Sequence, residues 1–197
     1  MRRPTSRQRR LVILLLVLIT FSLAYYAGQG QKQRNQAVPE ISGVLITPPL
    51  PAPSINLYNQ AGEPVSNSDL LGHWSLLMID PAPETAPSTA LTRLIQVHNR
   101  LATDPELQRK IAFYYLPLHG IGEAPVSFSR MSDNIHTLKG QAEMVNGLLD
   151  ALIGSASEAQ QTLYLIGPKT RLHALFTRDV DAATIAADLN TLIDAVE

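Results

Sequence analysis

Hydrophobic residues in this chain follow different periods in different stretches, and each period predicts a different element. The first stretch has none: Leu11 to Ala27 is apolar and uncharged, directly after an arm that holds Arg2, Arg3, Arg7, Arg9 and Arg10 and no acid. About 17 residues at roughly 1.5 Å each span about 25 Å, close to the hydrocarbon thickness of a bilayer. Tyr25 and Tyr26 fall where an interfacial aromatic belt would lie. The reading is a cytoplasmic basic arm over 1–10 and a transmembrane helix over 11–28, with all later residues on the periplasmic or otherwise extracytoplasmic side. A cleavable signal peptide has the same two regions. Against cleavage stands bulky Tyr25, two residues before Ala27, where a small side chain is wanted.

The stretch 29–53 is polar and then proline-rich. Pro39, Pro48, Pro49, Pro51 and Pro53 lack backbone donors, which predicts a stiff, extended linker outside any sheet. From Ser54 the pattern becomes that of a folded domain over 54–197. Ile55 and Leu57 alternate with polar neighbours, a turn follows over Asn59 to Gly62, and Val65 begins a return strand, which makes a hairpin. Trp74 to Ile79 is nearly all apolar and short, as expected of a strand buried on both faces.

Helical spacing then takes over. Ser88 is a good N-cap, and Leu91, Leu94, Ile95, His98 and Leu101 share one face. Ile111 to Leu118 is a second apolar strand, completing a strand, helix, strand unit with a parallel pair. Residues 120–140 show no clear period and read as irregular. A helix follows over Gln141 to Leu152, then a hairpin of Leu163 to Ile166 and Arg171 to Phe176 around Gly167-Pro168-Lys169-Thr170. The last helix, capped by Asp181, buries Ile185, Leu189, Leu192, Ile193 and Val196. A βαβ half joined through a helix to a hairpin and a closing helix is the α/β thioredoxin-like order, here with an additional N-terminal β-hairpin.

Charge and composition narrow the chemistry. Seven of the 16 basic residues precede Ala37, which leaves nine against 17 acidic residues, a net charge near −8 for the domain. Such a domain repels nucleic acid and anionic lipid. Cysteine is absent, which excludes thiol catalysis and thiolate metal sites. Of the five histidines (His73, His98, His119, His136 and His173), no two lie at the i, i+3 or i+4 spacing of a metal-binding helix face. His98 reads as a core histidine. His119, Met131 and His136 could offer nitrogen and thioether ligands only if the irregular segment brought them together. Asp80, Glu84 and Asp133 read as solvated charges, and Ser127 and Ser129 lack a nucleophile-elbow pattern. No enzymatic activity and no cofactor is expected.

Three segments together resemble the Sco/SenC family, thioredoxin-like, membrane-tethered copper chaperones of cytochrome c oxidase assembly. Ile55 to Val65 followed by Asp69 to Leu77 is similar to the family's front hairpin and its Leu-x-Gly-x-Trp lead into the central strand. Ala82-Pro-Glu-Thr-Ala-Pro-Ser-Thr-Ala-Leu91 resembles its Cys-Pro-x-x-x-Cys-Pro-x-x-Leu metal loop, and Leu163-Tyr-Leu-Ile-Gly-Pro168 resembles the strand and turn that follow its copper-binding histidine. At the three ligand positions that the resemblance implies stand Ala82, Ala86 and, by spacing from Pro168, about Ala159. An alanine methyl has no lone pair for copper, so the family's metal and thiol chemistry does not carry over.

What the resemblance does imply is a divergent, non-catalytic member. It would be held by a single anchor in the inner membrane and would assist a respiratory oxidase by protein contact. Its partner would be an integral membrane protein such as an oxidase subunit or assembly factor, contacted through Ala82, Pro83, Glu84, Thr85, Ala86 and Pro87. The alternative is copper binding or delivery through His and Met ligands.

Overall fold

The computed structural model describes residues 39–80, 89–118, 134–153 and 162–196. In chain order the strands are β1 (Val44–Pro51), β2 (Asn56–Asn59), β3 (Pro64–Ser66), β4 (Trp74–Asp80), β5 (Ile111–Pro117), β6 (Ile135–Lys139), β7 (Leu163–Gly167) and β8 (Arg171–Phe176). The helices are α1 (Thr89–Leu101), α2 (Pro105–Lys110), α3 (Ala142–Ile153) and α4 (Ala182–Val196). A short 3-10 turn, Asn67–Leu70, links β3 towards β4.

The strands join into one sheet in the order β1-β8-β7-β4-β5-β6-β2-β3. β4, β5 and β6 run parallel, while β7 is antiparallel to β4, and β8 and β1 continue the alternation to that edge. All seven residues of β4 are buried, as the apolar run Trp74 to Ile79 predicts. Its side chains alternate between two cores. Trp74, Leu76 and Met78 pack with Leu94, Val97 and Leu101 of α1 and with Ile185, Leu189 and Leu192 of α4. Leu77 and Ile79 share a second core with Ile55 and Leu57 of the hairpin, Leu70, and Val145, Leu148 and Leu149 of α3.

The expected βαβ unit, the two hairpins, the helix before the second hairpin and the closing helix are present. Asp181 caps α4, its Oδ1 accepting the N–H groups of Ala183 at 2.8 Å and Thr184 at 3.1 Å. Four expectations are corrected. The proline-rich linker expected over 29–53 contains a paired strand, because β1 lies at the sheet edge, where a missing N–H faces away from the ladder. Pro48 and Pro49 fall where the register against β8 shifts, between Leu45 and Leu50. The Arg171 guanidinium supplies donors there, reaching the Pro49 carbonyl from Nε at 3.0 Å and Nη2 at 2.6 Å. The compact unit therefore begins at Ile41, ahead of Ser54.

Within 120–140, expected to be irregular, Ile135–Lys139 forms β6, paired to β5 on one side and β2 on the other. Five residues are too few to show a period, and both partners are remote in sequence. α2 is likewise too short for periodicity to register, although Asp104 accepts the Leu107 N–H at 3.1 Å as its N-cap, ahead of Pro105. Val196, expected to be buried, is 51% exposed in the final turn of α4.

The expected transmembrane segment 11–28 lies outside the described residues. Among the described residues, no helix is long and apolar enough to cross a membrane.

One buried carboxylate fastens the start of the unit. Asp188 of α4 accepts the N–H groups of Ser42 at 2.9 Å and Gly43 at 3.3 Å through Oδ2. A Cβ on Gly43 would lie 2.6 Å from Phe176 and 2.7 Å from the Leu175 carbonyl, so only glycine fits this approach. Asp188→Ala leaves both donors without their acceptor and is expected to lower unfolding free energy by about 1–3 kcal/mol. Urea denaturation measures this, and an unchanged midpoint would show that the two bonds contribute nothing.

Candidate functional site

The sheet has two ends of contrasting chemistry. β4 and β7 are antiparallel neighbours with Met78 opposite Leu163, so 81–88 leaves the sheet at the end where 154–161 arrives. Both segments lie outside the described residues, and with them Ala82, Pro83, Glu84, Thr85, Ala86, Pro87 and Ala159. What the strands establish is that the two sequence stretches attach to one end of adjacent central strands. β1 begins at this end too, since Val44 pairs with Leu175 and Leu163 with Phe176.

Asp80 sits at this end as the last residue of β4 and is 2% exposed, which corrects its reading as a solvated charge. The Tyr115 hydroxyl donates to its Oδ2 at 2.5 Å, and the Leu118 N–H donates to its carbonyl at 2.9 Å. Strand parity explains the burial: Asp80 follows Trp74, Leu76 and Met78 on the α1 face, and Tyr115 stands on the same face of β5. The carboxylate fastens β4 to β5 beneath the start of 81–88. Glu84 and Asp133, the other two acids of that group, and Ser127 and Ser129 lie outside the described residues.

The histidines are dispersed. His98 is buried, accepts at Nε2 from the Gln108 side-chain amide at 3.2 Å, and meets the Phe113 ring edge-on at 5.1 Å, as a satisfied core histidine should. His136 stacks on Tyr114 at 5.1 Å. Burial, reinforced by His73, holds the His136 imidazole below its ordinary range, while burial and then Asp69 push the Tyr114 phenol up to about 12. His119 and Met131 lie outside the described residues. Among the described residues, no group of three or more His, Asp or Glu side chains could hold a metal ion.

The opposite end of the sheet carries a cleft of about 440 Å³ that sequence reasoning missed. His73 precedes β4, Arg109 and Lys110 end α2, and Lys169, Arg171 and His173 come from the β7–β8 hairpin. The register brings them together, because Trp74 pairs with Ile111 and Ser75 with Ile166. The Gly72 N–H donates to the Pro168 carbonyl at 3.0 Å, tying the hairpin turn to the start of β4, and Gly72 takes φ +86°, which suits glycine. His173 packs against Trp74 at 4.9 Å across Gly167, where a Cβ would lie 2.6 Å from the imidazole Nε2. Burial, and then Arg171, hold the His173 imidazole below its ordinary range. The only local hints in sequence are the Lys-x-Arg flanking the turn and the Arg-Lys pair before Ile111.

No protein-family model and no curated protein matches the chain. Solved structures do match. Apo Sco1 from Thermus thermophilus is similar at 19% identity with a TM-score of 0.62, over 79% of this chain and 99% of that one. Yeast Sco1 with copper bound is similar at 15% identity and a TM-score of 0.56, over 75% and 93%. BsSco, described as a member of the Sco family of cytochrome c oxidase assembly proteins with a disulfide switch, is similar at 15% identity and a TM-score of 0.58, over 75% of this chain and 96% of that one. The fold is therefore the Sco-type thioredoxin fold, and in a chain without cysteine it can hold neither a thiolate metal site nor a disulfide.

The two depressed imidazoles make a pH prediction. A histidine whose folded pKa is lowered binds more protons in the unfolded chain, so stability is full above about pH 6.5 and declines as pH falls below it. Urea midpoints are expected to drop between pH 7.5 and 5.5, and the drop should shrink in His136→Gln/His173→Gln. An equal drop in wild type and variant would refute the assignment.

Proposed function

We propose that this chain is a membrane-anchored, non-catalytic protein of Sco-type fold that assists assembly of a respiratory oxidase through protein contact. One observation carries the reading. The two sequence stretches that resemble the family's metal loop and its histidine region attach to the same end of β4 and β7, while the ligand positions in them carry alanine. The place for the family's chemistry is kept and the donors are gone, which favours a surface that binds protein over one that binds metal.

The topology supports a membrane-side contact. The chain reaches the domain at Ile41, fastened by Asp188, and β1 begins at the end of the sheet from which 81–88 departs. The anchor is the apolar segment 11–28, with its basic arm in the cytoplasm. The contact with an integral membrane partner is assigned to residues 82–87. The Sco proteins matched in structure supply the oxidase connection, since BsSco is described as a member of an oxidase assembly family.

Deleting the gene is expected to lower assembled oxidase several-fold. Wild type should restore it, as should a chain anchored by an unrelated transmembrane helix, and a soluble domain beginning at residue 39 should not. Haem spectra and oxidase activity of isolated membranes measure the outcome. Normal oxidase in the deletion strain would sink the proposal.

Copper handling through His and Met ligands is the second reading. Its ligand candidates are His119, Met131 and His136, of which His136 stands half-buried on β6 with its ring stacked on Tyr114. Cu(I) titration against a competing chelator separates the two readings. Under the assembly reading the full chain binds no better than its His119→Ala/His136→Ala variant, whereas a loss of about tenfold or more in the variant would favour copper handling.

A further inference from the structure

We propose that the cleft between the start of β4, the end of α2 and the β7–β8 turn is a binding site for small phosphate-bearing anions. This site is independent of the oxidase reading and lies at the other end of the sheet from 81–88.

Charge distribution is the first argument. Of the nine basic residues after Gln36, four (Arg109, Lys110, Lys169 and Arg171) line this one cleft, and among the described residues no acidic side chain does. In a domain of net charge near −8, random placement would put acids among the lining residues. A concave wall of one sign focuses its field and draws in counter-ions.

Construction is the second. The cations come from two separate parts of the chain, and the cleft is held in shape by backbone. The Gly72 N–H to Pro168 carbonyl bond fixes the hairpin turn, and Gly167 leaves room for His173 to lie against Trp74. Arg171 is positioned by two donor contacts to the Pro49 carbonyl. Arg109 donates from Nε to the Pro105 carbonyl at 3.1 Å and from Nη2 to Glu106 at 2.8 Å; the ion pair lies between side chains 69% and 83% exposed, and a pair so exposed contributes little and yields to a stronger anion.

Size and lining define the ligand. About 440 Å³ is more than one phosphate needs, and Trp74, Pro168 and Val196 give the cleft an apolar side. Planar guanidinium groups beside lysine ammonium groups suit the oxygens of a phosphate ester or diphosphate. His173 adds charge to the wall when protonated, so affinity should rise as pH falls.

Trp74 is the chain's sole tryptophan and lines the cleft, so its fluorescence reads occupancy directly. The test titrates full-length protein in neutral detergent with inorganic pyrophosphate and with dihexanoyl phosphatidic acid below its micellar concentration, with calorimetry in parallel. Saturable binding is expected with a dissociation constant below about 1 mM, weakened about tenfold by Lys169→Glu and by Arg109→Glu, and weakened by salt. Both substitutions are on exposed side chains, and circular dichroism checks that each variant folds. Binding of pyrophosphate points to a soluble phosphate ligand, and binding of the lipid alone points to a headgroup; either supports the site. No saturable signal by either method, or equal affinity in wild type and both charge reversals, would overturn it.

Discussion

Everything in this domain hangs on the burial of β4. The strand has no face turned to water, and its seven residues pair with β5 on one side and β7 on the other. Because side chains alternate, the same seven residues feed both cores, and α1 with α4 on one face and α3 with the front hairpin on the other are positioned by that alternation. Truncating a side chain such as Leu76, fully buried at 0% exposure, would cost about 2–5 kcal/mol, a large share of the 5–15 kcal/mol by which a domain is stable. Of the two polar residues in the strand, Asp80 is bonded by the Tyr115 hydroxyl, while the small Ser75 hydroxyl is buried without a hydrogen-bond partner.

The same strand separates two chemistries. At its C-terminal end the sheet receives the chain at Ile41, buries Asp80, and leads into the stretch whose sequence resembles the Sco/SenC metal loop with alanine at the cysteine positions. At its N-terminal end, arginine and lysine side chains from α2 and the β7–β8 hairpin gather around Trp74. The arrangement gives an acidic domain one cationic pole. Parallel and antiparallel pairing to β4 makes this possible, since residues near 73, 110 and 169 meet only because their strands share one register.

The edges show how local disfavour is overcome. Proline removes donors and argues against a strand, yet β1 forms because an edge has one free side and because Arg171 and Asp188 reach across to carbonyls and N–H groups that the ladder leaves open. Neither rescue is local: the partners are separated by well over a hundred residues. β6 is the same case in milder form. Its five residues acquire strand geometry from β5 and β2 together, and β2 in turn connects the front hairpin to the rest of the sheet.

By itself, the sequence determined whatever a short window encodes. Apolar runs and helical spacing marked β4, β5, both hairpins and the three longer helices, because burial on one or two faces imposes a period on neighbouring residues. Composition excluded thiol chemistry, because no arrangement of the chain can supply an absent atom. The three-part resemblance indicated the Sco-type fold through motif order. Tertiary structure alone decided that a proline-rich stretch is a strand, that Asp80 is buried and bonded, and that four cations share one cleft. Those outcomes depend on contacts between distant parts of the chain, which no period records.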